Sequence, residues 1–124
     1  MFVGPVGEMI AQRMLSPPPR PGVLAMLDHF EIIRILGGGG MGIVLLARNI
    51  RTGRDAAVKL VKSSLVTNQE VVHRFLKEAS HLKRMRHINI VAVEEISERP
   101  EAPYFAMPYF EKGSLANRMT PGEP

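Results

Sequence analysis

Cysteine is absent from the 124 residues, which excludes disulfides, thiolate metal sites and a cysteine nucleophile. That fits a reducing compartment, and a cytoplasmic location is expected. No uninterrupted apolar run approaches the ~20 residues that a membrane span requires. The N-terminus also lacks the basic stretch followed by an apolar segment that marks a secretory signal. Aromatic residues are scarce, at 6 %, and eight methionines supply part of the gap-filling core material instead. Acidic residues fall short of basic ones, leaving a net charge of +4. Much of that excess is Arg74, Lys77, Lys83, Arg84 and Arg86. A nucleic-acid patch is one reading of it. The solvated face of an amphipathic helix is the reading adopted, so no nucleic-acid partner is expected.

What is present suits one domain of ordinary size. Residues 1–27 stand apart in composition. Pro17-Pro18-Pro19-Arg20-Pro21-Gly22 cannot form helix or central strand and reads as an extended linker. Glu8 to Leu15 can form one or two helical turns, and the whole segment is expected to be a flexible leader or a docking peptide. From Phe30 to Leu36 the chain is rich in β-branched residues, and it resumes that character from Ile43 to Arg48. A turn over Asn49–Arg54 and a strand over Asp55–Lys62 complete an antiparallel meander. Thr67 with Glu70 forms a possible capping box. Phe75, Ala79, Leu82 and Met85 then recur at helical spacing as a buried stripe. Two further strands are expected over Ile90–Ile96 and Tyr104–Tyr109.

Gly37-x-Gly39-x-x-Gly42 is a phosphate-cradle pattern, because glycine permits positive φ and brings backbone N–H groups close to phosphate oxygens. Alone it is weak. A dinucleotide-binding fold requires a helix directly after the glycines, whereas Ile43-Val44-Leu45-Leu46 reads as strand. That favours strand–loop–strand over the phosphates of ATP. Lys59 lies in an otherwise apolar strand, and Glu78 lies at the edge of the helix stripe. Half-buried charges are costly unless paired, so the simplest arrangement sets them against each other. The alternative is that Lys59 snorkels to solvent and Glu78 sits on the exposed flank.

These residues resemble bacterial serine/threonine protein kinases. Leu36 to Val44 looks like the family's glycine-rich loop, and Ala57-Val58-Lys59 is similar to its strand lysine motif. Arg74-Phe75-Leu76-Lys77-Glu78-Ala79 is similar to its glutamate-bearing helix. His87-Ile88-Asn89-Ile90-Val91 resembles the lead into its fourth strand, and Tyr104 to Leu115 its fifth strand and hinge. The resemblance implies an α+β fold, the ATP-binding N-lobe, with a five-stranded antiparallel sheet and one αC-type helix over residues 28–115, followed by a truncated tail over 116–124. It implies that Gly37, Gly39 and Gly42 cover phosphates while Lys59, held by Glu78, contacts them. Val44 and Ala57 would enclose adenine and Met107 would stand at the back of that pocket. The Pro108 carbonyl and the Phe110 N–H would bond the adenine edge, and Leu82 and Val93 would meet the second lobe. Three positions depart from the pattern. Gly38 replaces a larger residue, Ile88 a common proline, and Pro108 a common acidic residue of which only the carbonyl is used.

The family's His-Arg-Asp base and its Asp-Phe-Gly magnesium ligand do not occur in these 124 residues. The expected cofactor is ATP, with magnesium in the full kinase, and no catalytic or metal-binding residue is assigned. This stretch alone is expected to be inactive in phosphoryl transfer and to expose apolar surface. Its expected partners are ATP and a kinase C-lobe or another protein. The alternative is a non-catalytic docking module using the lobe surface.

Overall fold

The computed structural model describes residues 4–84 and 93–109. Its elements are α1 (Gly4–Ala11), β1 (Ala25–Leu27), β2 (Phe30–Gly38), β3 (Gly42–Asn49), β4 (Arg54–Val61), α2 (Gln69–Arg84), β5 (Glu95–Ser97) and β6 (Tyr104–Pro108). All strands belong to one antiparallel sheet in the order β1-β2-β3-β4-β6-β5. The α+β class and, among the described residues, the single long helix agree with expectation. Among the described residues the sheet has six strands instead of five, because Ala25–Leu27 pairs with Phe30–Ile32. The chain reverses there through Asp28, whose φ of 53° is one that aspartate tolerates better than most residues.

Alternation divides β4 between two cores. Ala56, Val58 and Leu60 join Ile43, Leu45, Ala47, Ile32, Phe30 and Ala106 in one cluster. Val61, with Phe105 from β6, faces α2 and packs on Phe75, Ala79 and Val93. The first cluster would lie open without the N-terminal segment. Met9, Met14 and Leu15 are 2 %, 2 % and 3 % exposed and belong to it, together with Val6 and Ile10. Over its described part, the segment expected to be a flexible leader is therefore packed into the lobe. The proline run spans only the gap between Ser16 and Met26, which exchange backbone hydrogen bonds of 2.8 and 2.9 Å. Five apolar side chains from one short helix and its exit outweigh the extended character of the prolines.

The end of α1 shows how the chain is turned inward. Met14 N–H donates to Met9 C=O at 2.8 Å and Arg13 N–H to Ile10 C=O at 3.0 Å, the paired bonds of a Schellman cap. The two methionines supply its accompanying apolar contact. Such a cap needs a left-handed residue, and Arg13 takes that place with φ 64° although glycine would do so without strain. Arg13→Gly is expected to raise stability by about 0.5–1 kcal/mol, after allowance for the greater freedom of glycine in the unfolded chain. A higher urea midpoint at unchanged slope would show it.

Glu31, buried on β2, receives the guanidinium of Arg20 from within the proline run, with Arg20 Nη2 donating to Oε1 at 2.7 Å. That hydrogen bond holds the Glu31 carboxyl below its ordinary value of 4.5, against the opposing effect of burial. A depressed carboxylate contributes stability above its unfolded value and loses it as pH falls through the folded one. Glu31→Gln is thus expected to flatten the fall in stability below about pH 4.5, as read by thermal midpoints taken across that range.

Polar contacts draw the two edges of the sheet together. His29 Nε2 meets Glu95 at 2.8 Å, Asn49 Nδ2 donates to Glu95 at 3.3 Å, and the Tyr104 hydroxyl donates to Asp28 at 2.8 Å. The β1–β2 turn therefore touches the β5–β6 hairpin and the sheet curls. At the start of α2, Asn68 Oδ1 accepts from Val71 N–H at 3.1 Å. Asn68 is the N-cap, one residue beyond the expected Thr67, because the helix begins at Gln69 and the Asn68 carboxamide oxygen takes up the free amide two residues into it.

Candidate nucleotide-phosphate site

The β2–β3 hairpin narrows to residues 39–41, because Gly37 and Gly38 still pair with Val44 and Ile43. Gly39 N–H donates to Gly42 C=O at 2.9 Å and closes the turn. None of the glycines from 37 to 42 has positive φ, so the conformational reason for glycine here does not hold. Two other reasons replace it. A Cβ at Gly37 or Gly39 would meet nothing within 4 Å, so the backbone there is bare and open to an approaching group. At Gly42 the reverse applies: a Cβ would stand 2.9 Å from Leu60 C=O, 3.3 Å from Phe75 Cε1 and 3.4 Å from Lys59 Cγ. Gly42 is glycine for lack of room.

Strand register sets the remaining residues beside this hairpin. Directly opposed residues of an antiparallel sheet share a face. Gly37 opposes Val44, Val44 opposes Lys59 and Lys59 opposes Phe105, a row across four strands. In the next row Leu46 opposes Ala57 and Ala57 opposes Met107. Gly37, Val44, Ala57, Lys59 and Met107 thus lie on one face, as a shared pocket requires. Pro108 opposes Ala56, so its ring turns to the other face while it ends β6.

Lys59 Nζ lies 3.3 Å from Glu78 Oε1, and the snorkelling alternative gives way to the pair. The side chains are 24 % and 39 % exposed. Enough water reaches them that the pair adds little to stability, yet the ammonium is held in one place. Phe105 fixes it from a second side, its ring centroid 5.9 Å from Nζ, within cation–π reach. That aromatic was missed as a site residue. Its signal was its position two residues before Met107 on the same strand, which places both on one face.

Leu82 and Val93, expected to meet a second lobe, pack with Phe75, Ala79 and Phe105. Met41, at the hairpin tip, rests on the same cluster. Phe110, Met85, the segment His87–Val91, Glu111–Leu115 and the tail lie outside the described residues. A cleft of about 780 Å³ opens at the far end of the sheet, among Arg48, Arg54, Asp55 and Glu94. Neither Lys59, Glu78 nor the glycine hairpin lines it, although Pro108 does.

Comparison with known proteins bears on the family and the fold. The serine/threonine-protein kinase PrkC of Bacillus subtilis is 33 % identical over 96 residues, covering 77 % of this chain and 15 % of PrkC. The serine/threonine-protein kinase PknD of Chlamydia trachomatis is 39 % identical over 89 residues, covering 72 % of this chain and 10 % of PknD. CBL-interacting serine/threonine-protein kinase 12 of Arabidopsis thaliana is 31 % identical over 118 residues, 94 % of this chain and 24 % of the plant protein. The chain therefore spans a minor part of each of these relatives. In fold it is similar to the crystal structure of the Mycobacterium tuberculosis PknI kinase domain, with a TM-score of 0.56 at 24 % identity over 85 % of this chain and 43 % of that one. The protein kinase domain model matches residues 30–123. With more than half of its residues inside that match, the chain belongs to the protein kinase domain family.

Proposed function

We propose that this lobe binds ATP as the nucleotide-holding part of a serine/threonine protein kinase, in the cytoplasm where ATP is plentiful. The observation that carries the reading is the Lys59–Glu78 pair at 3.3 Å, on the face and in the strand row of Gly37 and Val44. A fixed ammonium beside Cβ-free backbone suits a phosphate chain, since it offers a charge-assisted donor and amides without steric cover. Glu78 keeps Lys59 extended toward the hairpin. Val44 and Ala57 present small apolar surfaces to an adenine ring, with Met107 behind them. The Pro108 carbonyl accepts from the base, and the resemblance assigns the complementary donor to Phe110 N–H. Bound ATP supplies the transferable phosphoryl group, with magnesium neutralising its charge in a full kinase.

In this reading these 124 residues hold the nucleotide without transferring it. A base and metal ligands of the His-Arg-Asp and Asp-Phe-Gly kind are needed for that step and are not among them. Titration with Mg-ATP while following thermal unfolding tests the proposal. Ligand at a hundredfold excess over Kd adds about 2.7 kcal/mol by mass action, so a rise of several degrees is expected. An unchanged midpoint at millimolar Mg-ATP contradicts it.

A further inference from the structure

The geometry points to Phe75 as a positioning residue: we propose that its ring, wedged against Gly42, sets the glycine hairpin and Lys59 from helix α2. This rests on the ATP reading only for its consequence, not for the contact itself. Phe75 is fully buried at the centre of the α2 cluster. Its Cε1 lies 3.3 Å from where a Gly42 Cβ would be, and the stem of Lys59, at Cγ, is 3.4 Å from the same point. The ring therefore touches the exit of the hairpin on the spot where the lysine stem also passes.

Further contacts make this a linked unit. Phe75 and Phe105 stack in a tilted pair, centroids 5.2 Å apart at 44°, and Phe105 lies under the Lys59 ammonium. Met41, one residue before Gly42, packs on the same cluster, and its carbonyl accepts from Lys62 N–H at 3.0 Å. Val61, opposed to Gly42 at the last β3–β4 pair, is buried in that cluster too. Close-packed interiors transmit displacement because no void absorbs it. A shift of α2 at Phe75 therefore moves the end of β3, and with it the hairpin, alongside the Lys59 stem. Glu78, one turn along α2, holds the head of the same lysine. The helix thus controls both ends of Lys59 and one end of the phosphate loop.

The test compares Phe75→Leu with Phe30→Leu, which removes an equally buried aromatic from the opposite face of the sheet. Amide hydrogen exchange is followed in the nucleotide-free full chain at Gly39 and Lys62, whose N–H groups close the hairpin and bond Met41. Leu45 in β3 serves as the internal reference. In Phe75→Leu the two hairpin amides are expected to accelerate about tenfold more than Leu45, as local opening does. In Phe30→Leu all three should accelerate together. Equal acceleration of all three in Phe75→Leu overturns the proposal. Phe75→Met, which keeps more of the volume, carries the same expectation and decides the matter if Phe75→Leu does not fold. In parallel, affinity for a fluorescent ATP analogue should fall about three- to tenfold in Phe75→Leu and hold in Phe30→Leu. Loss of affinity by the same factor in both variants counts against Phe75. Failure of the unsubstituted chain to bind the analogue contradicts the ATP reading, while the exchange ratio still decides the positioning role.

Discussion

Removing residues 1–16 is expected to abolish cooperative folding of the lobe. That segment contributes Val6, Met9, Ile10, Met14 and Leu15 to the larger core cluster. At about 1.5–3 kcal/mol for each buried aliphatic side chain, the loss is on the order of 7–15 kcal/mol. An upper-bound discount for a compact unfolded chain lowers that figure by roughly 10–40 %, and it still rivals the roughly 5–15 kcal/mol that holds an ordinary domain together. Deletion would also bare Ile43, Leu45 and Val58 on the far face of the sheet. A chain of residues 17–124 should therefore show a broad, non-cooperative urea transition and bind hydrophobic dye. A sharp transition near the midpoint of the full chain would show that α1 is dispensable. The milder Met14→Ala is expected to cost about 2–4 kcal/mol, enough to rank the contact without losing the fold.

Lys59→Ala is expected to have the largest effect on ligand binding and a small one on stability. The Lys59–Glu78 pair is partly solvated, with side chains 24 % and 39 % exposed, so its removal should cost under about 1 kcal/mol of folding free energy. Toward a phosphate the same ammonium is worth more, because a charge-assisted donor lost from a desolvated contact costs about 2–4 kcal/mol. That corresponds to roughly 30- to 1000-fold in ATP affinity. Glu78→Gln should be milder, about tenfold, since it releases Lys59 without removing it. A thermal midpoint within a few degrees of the unsubstituted chain, beside a collapsed affinity, is the expected signature. Parallel losses in stability and affinity would instead give Lys59 a packing role.

Much of this was legible before the fold was known, for a physical reason that differs by feature. Lys59 was conspicuous because a charge in an apolar strand is expensive, and Glu78 because it edged an otherwise apolar helix stripe. Such a mismatch needs no tertiary information, and the pair formed. Phe75 and Ala79 showed their burial through helical spacing, β2 and β3 through their β-branched content, and β4 through alternation of its two faces. The N-terminal segment failed for the opposite reason. Its prolines dominated the composition, while five apolar residues around them carried a burial signal too short to stand out. Strand β1, at three residues, was likewise too short for alternation to register.

The glycines divide along the same line. Their spacing marked a hairpin, but the reason each is glycine depends on which atoms arrive from elsewhere. At Gly42 those atoms are the Leu60 carbonyl, the Phe75 ring and the Lys59 stem, brought in by two other elements. For Phe105 the spacing from Met107 gave the face, but only the β4–β6 register puts it under Lys59. Local chemistry is written along the chain, whereas steric exclusion is written between elements.

The most direct measurement is a calorimetric titration of the full chain and its Lys59→Ala variant with Mg-ATP, under conditions where circular dichroism shows both folded. Saturable one-to-one binding by the unsubstituted chain, weakened at least about 30-fold in the variant, is the expected result. Equal binding by the two, or none by the unsubstituted chain, would contradict the assignment of this face to ATP.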